Sequence, residues 1–88
     1  MRLDADWMTR ADDRILEFLS EEGPHPPKKM ADDGRVRFGR QYIGVRCRDY
    51  LVPYGLAQNL GNGVYSITEL GEQYLAGEID AAELENSE

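Results

Sequence analysis

At 88 residues with 41% apolar side chains, the chain reads as one small globular domain with a single core and no room for a large substrate pocket. Its formal net charge is −7, no stretch approaches the roughly 20 apolar residues that span a bilayer, and Met1 to Asp6 lack the order of a signal peptide, so a cytoplasmic protein with no membrane role is expected. One cysteine, Cys47, and one histidine, His25, exclude an internal disulfide and a zinc or iron ligand cluster; no metal or other cofactor is expected.

In chain order, residues 1–8 read as an N-terminal arm, 9–78 as the folded domain and 79–88 as an acidic tail. Thr9 with Asp12 three residues later forms a capping-box start, onto which Trp7 or Met8 can staple. Ala11, Ile15, Phe18 and Leu19 then recur at helical spacing until Gly23 and Pro24 close the element. Pro26 and Pro27 suit the first turn of a short second helix carrying Met30 and Ala31, with Gly34 as its stop. Arg35, Val36, Arg37 and Phe38 alternate polar with apolar, which predicts a brief strand or an extended linker.

A third helix is predicted from about Arg40 to Tyr54, with Gly55 as its left-handed cap and a distortion near Pro53. A step of about 100° per residue gathers Ile43, Cys47, Tyr50 and Leu51 on one face and Gln41, Gly44, Val45 and Arg48 on the other. One face suits a core and the other a partner. Leu56, Gln58 and Leu60 then follow a period of two, Gly61-Asn62-Gly63 supplies a turn, and Val64 to Ile67 returns as a second strand, which makes a β-hairpin. Thr68 caps a last helix through Leu70, Tyr74 and Leu75, ending at Gly77, and the tail beyond reads as a short helix or a frayed end. The fold class is therefore α+β: three helices, a hairpin wing and a C-terminal helix, the element order of a winged helix-turn-helix.

Charge is sorted along this order. Between Lys28 and Arg48 lie seven of the ten basic residues against only Asp32 and Asp33, while Asp49 to Glu88 holds eight carboxylates and neither Lys nor Arg. An acidic chain with its cations in one segment presents a polyanion-facing element on an otherwise solvating surface. Arg outnumbers Lys eight to two, a balance resembling that of proteins kept hydrated in molar salt, although an ordinary acidic bacterial protein is the plainer alternative.

The stretch Tyr42-Ile43-Gly44-Val45-Arg46-Cys47-Arg48-Asp49-Tyr50, then Gly55-Leu56, then Gly61-Asn62-Gly63 through Thr68-Glu69-Leu70-Gly71 to Leu75, resembles the recognition helix, wing and last-helix start of haloarchaeal winged-helix regulators similar to the phage phi-H repressor. The likeness covers roughly residues 7 to 78; the prolines around helix 2 and Pro53 depart from the pattern. It implies a sequence-specific transcriptional regulator, a repressor by family, that binds double-stranded DNA with no cofactor.

In such a fold the third helix lies in the major groove. Gln41 and Arg48 suit adenine and guanine edges, and Val45 or Tyr42 a thymine methyl or the backbone; the plainer reading of each is a solvated helix residue. Lys28, Lys29, Arg35, Arg37 and Arg40 suit phosphates, with edge-strand protection as the rival reading for Arg35 and Arg37. Arg46, on the helix flank, can instead pair with an acid of helix 1. Asn62 at the wing tip either touches DNA or is chosen for its φ, and Cys47 is expected to be core rather than a redox sensor. A homodimer would double the bases read, with Trp7, Leu70, Tyr74 and Leu75 as the candidate interface. The rival functions are a winged-helix protein-interaction module using the acidic surface and, on weaker grounds, a small enzyme or toxin partner, for which no paired catalytic constellation is present.

Overall fold

The computed structural model describes residues 2–86; of the arm expected over 1–8 and the tail expected over 79–88, residues 1, 87 and 88 lie outside the described residues. Helix α1 spans Arg10–Glu22. Its capping box forms as the sequence predicts, the Thr9 backbone N–H donating to Asp12 Oδ2 at 2.8 Å. Ala11, Ile15, Leu16, Phe18 and Leu19 are buried along one stripe, and Gly23, at φ +83°, ends the helix with its N–H on the Leu19 carbonyl.

The short strand pairing comes earlier than the sequence pattern places it. His25, between α1 and the second helix, exchanges two backbone hydrogen bonds with Tyr65 of the wing, at 3.0 and 3.1 Å. Residues 35–38 form no strand. They continue a turn in which Val36 is fully buried, its N–H held by the Asp33 carbonyl, and Arg37 takes a φ of +64°. The alternation there reflects one buried residue in a turn, not a pleat. Helix α2, Pro27–Asp32, starts with proline at its first position as expected and stops before Gly34, where the Asp33 carboxylate accepts from the Arg35 N–H.

Helix α3, Arg40–Arg46, runs into a single π-helical turn, Cys47–Leu51. The predicted 40–54 element therefore exists, but it is not one regular α-helix. The Val52 N–H reaches back five residues to the Cys47 carbonyl at 2.9 Å. Pro53 supplies the cause, because its ring would collide with the carbonyl four residues before it in a regular helix and it has no N–H to donate; a wider turn relieves both problems. The residues expected inside, Ile43, Cys47 and Leu51, are fully buried. Tyr50 is half-buried, and Gly44 leaves the outer face, packing where an added Cβ would sit 3.8 Å from Pro27. Gly55, at φ +83°, caps the segment as predicted.

Strands β1 (Ala57–Gly61) and β2 (Val64–Ile67) pair antiparallel, with Asn59 opposite Tyr65 and Gly61 opposite Val64. Leu60 is skipped, and this bulge turns it outward, leaving it 53% exposed although it shares its period-two face with buried Leu56. Helix α4, Glu69–Leu75, is capped by Thr68, whose Oγ1 accepts from the Gly71 N–H and donates to the Gly55 carbonyl. Arm and tail dock on the domain together: Leu3 and Asp80 pair in parallel, Ala81 donates to the Leu3 carbonyl at 2.8 Å, and Ala5 and Ala81 are buried.

Cys47 is core, and burial, helped by the negative charge of Asp12, pushes its thiol up from 9.0 to about 12. The Tyr74 hydroxyl, buried and donating to Asp13, is raised as well. Both groups are held neutral by the fold, so their contribution to stability is complete below their unfolded values and is lost as pH climbs through the folded ones. The expected result is a thiol inert to disulfide reagents at pH 8 until denaturant is added, and a stability that declines from about pH 9 upward. Labelling native protein at the rate of a free thiol would contradict it.

Candidate nucleic-acid interface

Four side chains proposed for base contact lie on the outward surface of α3 and its π turn. Gln41, Tyr42, Val45 and Arg48 are all exposed, with Tyr42 at 41% and Val45 at 37%. Gln41, Tyr42 and Val45 fall within the first two turns, where exposed positions recur every three to four residues. Tyr42 leans on Phe38 at 5.5 Å between ring centroids, and its hydroxyl lies 3.5 Å from Thr9 Oγ1, so the ring is steadied on one side and open on the other. The Arg48 guanidinium is held by the next residue: Nε donates to Asp49 Oδ1 at 2.8 Å and Nη2 to Oδ2 at 3.1 Å. This pair raises the arginine pKa and lowers that of Asp49.

The cations divide into two groups. Lys28 and Lys29 on α2, Arg37 in the turn and Arg40 at the start of α3 are exposed and form no salt bridge with a described residue. Arg37 donates to the Gly34 carbonyl at 3.3 Å and sits in the left-handed region, a conformation that costs an arginine on the order of 1 kcal/mol. Arg35 is different. It donates to both oxygens of Asp33, reaches Glu21 at 3.3 Å and Glu22 at 3.2 Å, and lies over the Phe18 ring. Hydrogen bonds from Arg35 hold the Asp33 carboxyl down at about 2. Since no strand forms here, edge protection is not its role; Arg35 ties the turn to the end of α1.

Arg46 makes the pairing with helix 1 that its flank position allows. The guanidinium is buried, with Nε on Asp12 Oδ1 at 2.9 Å, Nη2 on Asp12 Oδ2 at 2.7 Å and on the Trp7 carbonyl at 2.8 Å, and it stacks 3.8 Å from the centroid of Tyr50. The hydrogen bond from Arg46 to Asp12 dominates the raised pKa of the guanidinium, against the opposing effect of burial. One side chain thus joins the arm, the capping box of α1 and the flank of α3. Trp7 stacks on Tyr54 at 4.2 Å and on Tyr50 at 6.1 Å, closing the assembly. Of the apolar residues Trp7, Leu70, Tyr74 and Leu75, Tyr74 is fully buried and so drops out of any exposed patch, while Trp7, stacked within the chain, Leu70 and Leu75 are half-buried.

Asn62 has a φ of +56° between Gly61 and Gly63, both also positive, so the turn geometry alone accounts for an asparagine there. Sequence reasoning passed over Asp49 as the holder of Arg48, and it gave Arg46 an acid of helix 1 as an alternative partner without singling out Asp12. The adjacency of Arg48 and Asp49 was a signal for the first; the second depends on a contact 34 residues apart. No helix among the described residues is long and apolar enough to cross a membrane, and no group of three or more His, Cys, Asp or Glu among them could hold a metal ion.

A family model described as winged helix-turn-helix phage repressor matches residues 1–87. The repressor protein of Halobacterium phage phiH is 36% identical over 90 residues, covering 93% of this chain and 94% of the phage protein. The crystal structure of the PhiH1 repressor-like protein from Haloarcula marismortui superposes with a TM-score of 0.91 at 44% identity, over 98% of this chain and 97% of that one. A repressor-type DNA-binding regulator, and not an enzyme, is what a match of this extent to this helix, wing and cap arrangement identifies. The chain belongs to the winged helix-turn-helix phage repressor family.

Proposed function

We propose that the protein is a sequence-specific transcriptional repressor that binds double-stranded DNA as a homodimer and reads the major groove with α3 and its π turn, residues 40–51. The carrying observation is the exposed row Gln41, Tyr42, Val45 and Arg48 beside four exposed cations, in a chain that is otherwise acidic. Gln41 and Arg48 serve as the readers of adenine and guanine edges, with Val45 and Tyr42 against thymine methyl or sugar. Lys28, Lys29, Arg37 and Arg40 contact phosphates. Arg35 is the weakest phosphate candidate, because binding would require it to leave three carboxylates. The strained backbone at Arg37 supports its role, since a glycine would fold there at lower cost.

Repression is supported by the relatives, both described as repressors or repressor-like. Their haloarchaeal sources, with the Arg-rich, acidic composition, support a cytoplasm of molar salt, where charges are screened beyond about 3 Å. Close forked contacts then carry more of the recognition than long-range attraction. Two-fold binding is favoured because one small domain reads few bases, and half-sites about 34 Å apart would admit both recognition helices.

Selection of bound duplexes from a random pool at several salt concentrations is the test. An inverted repeat with a guanine column that degenerates in Arg48→Ala is expected, at a cost of roughly 1–3 kcal/mol; a single unrepeated site removes the homodimer, and no enriched motif removes sequence-specific reading. Replacing Lys28 and Lys29 together with alanine should weaken all duplexes about equally and flatten the dependence of log affinity on log salt. An unchanged slope would return both lysines to the solvated surface.

A further inference from the structure

We propose that Asp49 is a positioning residue for base reading, a carboxylate that fixes the Arg48 guanidinium with one fork occupied and the other presented to a guanine. The inference rests on the assignment of Arg48 to a base edge. A guanidinium has two forked edges, one made by Nε and Nη2 and one by Nη1 and Nη2. Asp49 takes the first edge with both oxygens, at 2.8 and 3.1 Å, and no described residue engages Nη1. The second edge is therefore free to make the bidentate contact with O6 and N7 that distinguishes guanine in the major groove.

The location makes an incidental surface pair a poor explanation. Asp49 is the only Asp or Glu in the sequence between Asp33 and Glu69. It stands on the face offered to a polyanion, where a carboxylate repels phosphates. Within the π turn Cys47 and Leu51 point into the core while Arg48 and Asp49 are both exposed, with side chains at 65% and 46%. An arginine otherwise spreads over many rotamers, and a partner that holds it in one of them reduces what is lost when the base contact forms.

The test is a double-variant cycle on Arg48→Ala, Asp49→Ala and the combination, reading the ratio of affinity for the selected operator to that for an operator altered at the guanine column. An exposed pair adds little to stability, so all three variants should melt with the parent protein. Each single substitution is expected to lower that ratio by about tenfold, the combination should lower it no further, and Asp49→Ala should bind a scrambled duplex at least as tightly as the parent because a negative charge has gone. If Asp49→Ala instead tightens binding to operator, altered operator and scrambled duplex by one common factor while Arg48→Ala still degrades the guanine column, Asp49 is only a repelling charge and the positioning role is overturned. If Arg48→Ala leaves the column intact, the base-reading assignment fails and the role of Asp49 fails with it.

Discussion

Replacing Gly71 with alanine is expected to destabilise the domain by about 3 kcal/mol or more, although alanine is the better helix former by about 1 kcal/mol at an exposed interior position. Gly71 lies in the first turn of α4 and is buried against the base of the wing. A Cβ there would come within 2.3 Å of the Leu56 carbonyl oxygen and 2.6 Å of Ile67 Cγ1. The first of these is backbone and cannot swing aside. That same carbonyl accepts the Thr68 N–H, and Thr68 caps α4 and bonds to Gly55, so moving it disturbs the junction of the π-turn segment, wing and last helix. For a domain of this size the loss corresponds to a fall in melting temperature on the order of 15 °C. Gly34→Ala is the control, since nothing lies within 4 Å of the added atom and the backbone is not left-handed. Thermal melts of the two variants decide the matter; a Gly71→Ala protein melting within a few degrees of its parent would show that the close approach is relieved by small shifts.

The same junction shows what could be read in the sequence. Thr68 followed by Gly71 and the Gly61-Asn62-Gly63 turn have local causes, a cap and a left-handed turn, and both appear where they were expected; the strand before them forms too, but its period of two breaks at the bulge that turns Leu60 outward. The core face of α3 was legible for the same reason, because Ile43, Cys47 and Leu51 recur at helical spacing and the π turn preserves their side. Most long-range partners were not legible. Residues 35–38 alternate like a strand, yet no strand among the described residues pairs with them; the edge of β2 is taken by His25, a choice made by the path of the chain after α1. Likewise the basic segment was visible as a block of charge, but not that Arg35 is drawn off by Glu21 and Glu22 at the end of α1; for Arg46 the pairing with helix 1 was one of two readings, and the fold makes it through Asp12. Composition counts cations, whereas the fold decides which remain free for DNA.

Breaking the Arg46–Asp12 pair is the other large effect. Arg46→Met is expected to cost about 3–5 kcal/mol, because it leaves the fully buried Asp12 carboxylate with the Thr9 N–H but without its counter-charge. Adding Asp12→Leu should recover a substantial part of that loss, as an apolar pair carries no desolvation cost even though the capping box goes with the carboxylate. The coupling between the two positions should also resist salt. Molar salt screens charges separated by more than about 3 Å of solvent, but water does not reach between Arg46 and Asp12, whose side chains are 8% and 0% exposed. Arg35, with 47% of its side chain exposed, should by contrast lose most of its coupling to Glu21 and Glu22 over the same range. Denaturation cycles on both pairs at low and molar salt provide the comparison. A coupling at Arg46 that fades as steeply as that at Arg35 would mean the guanidinium is solvated. The ion pair that fastens α3 to the start of α1 is thus placed where salt cannot enter, whereas the pairs at the surface, that of Arg35 among them, are the ones salt weakens.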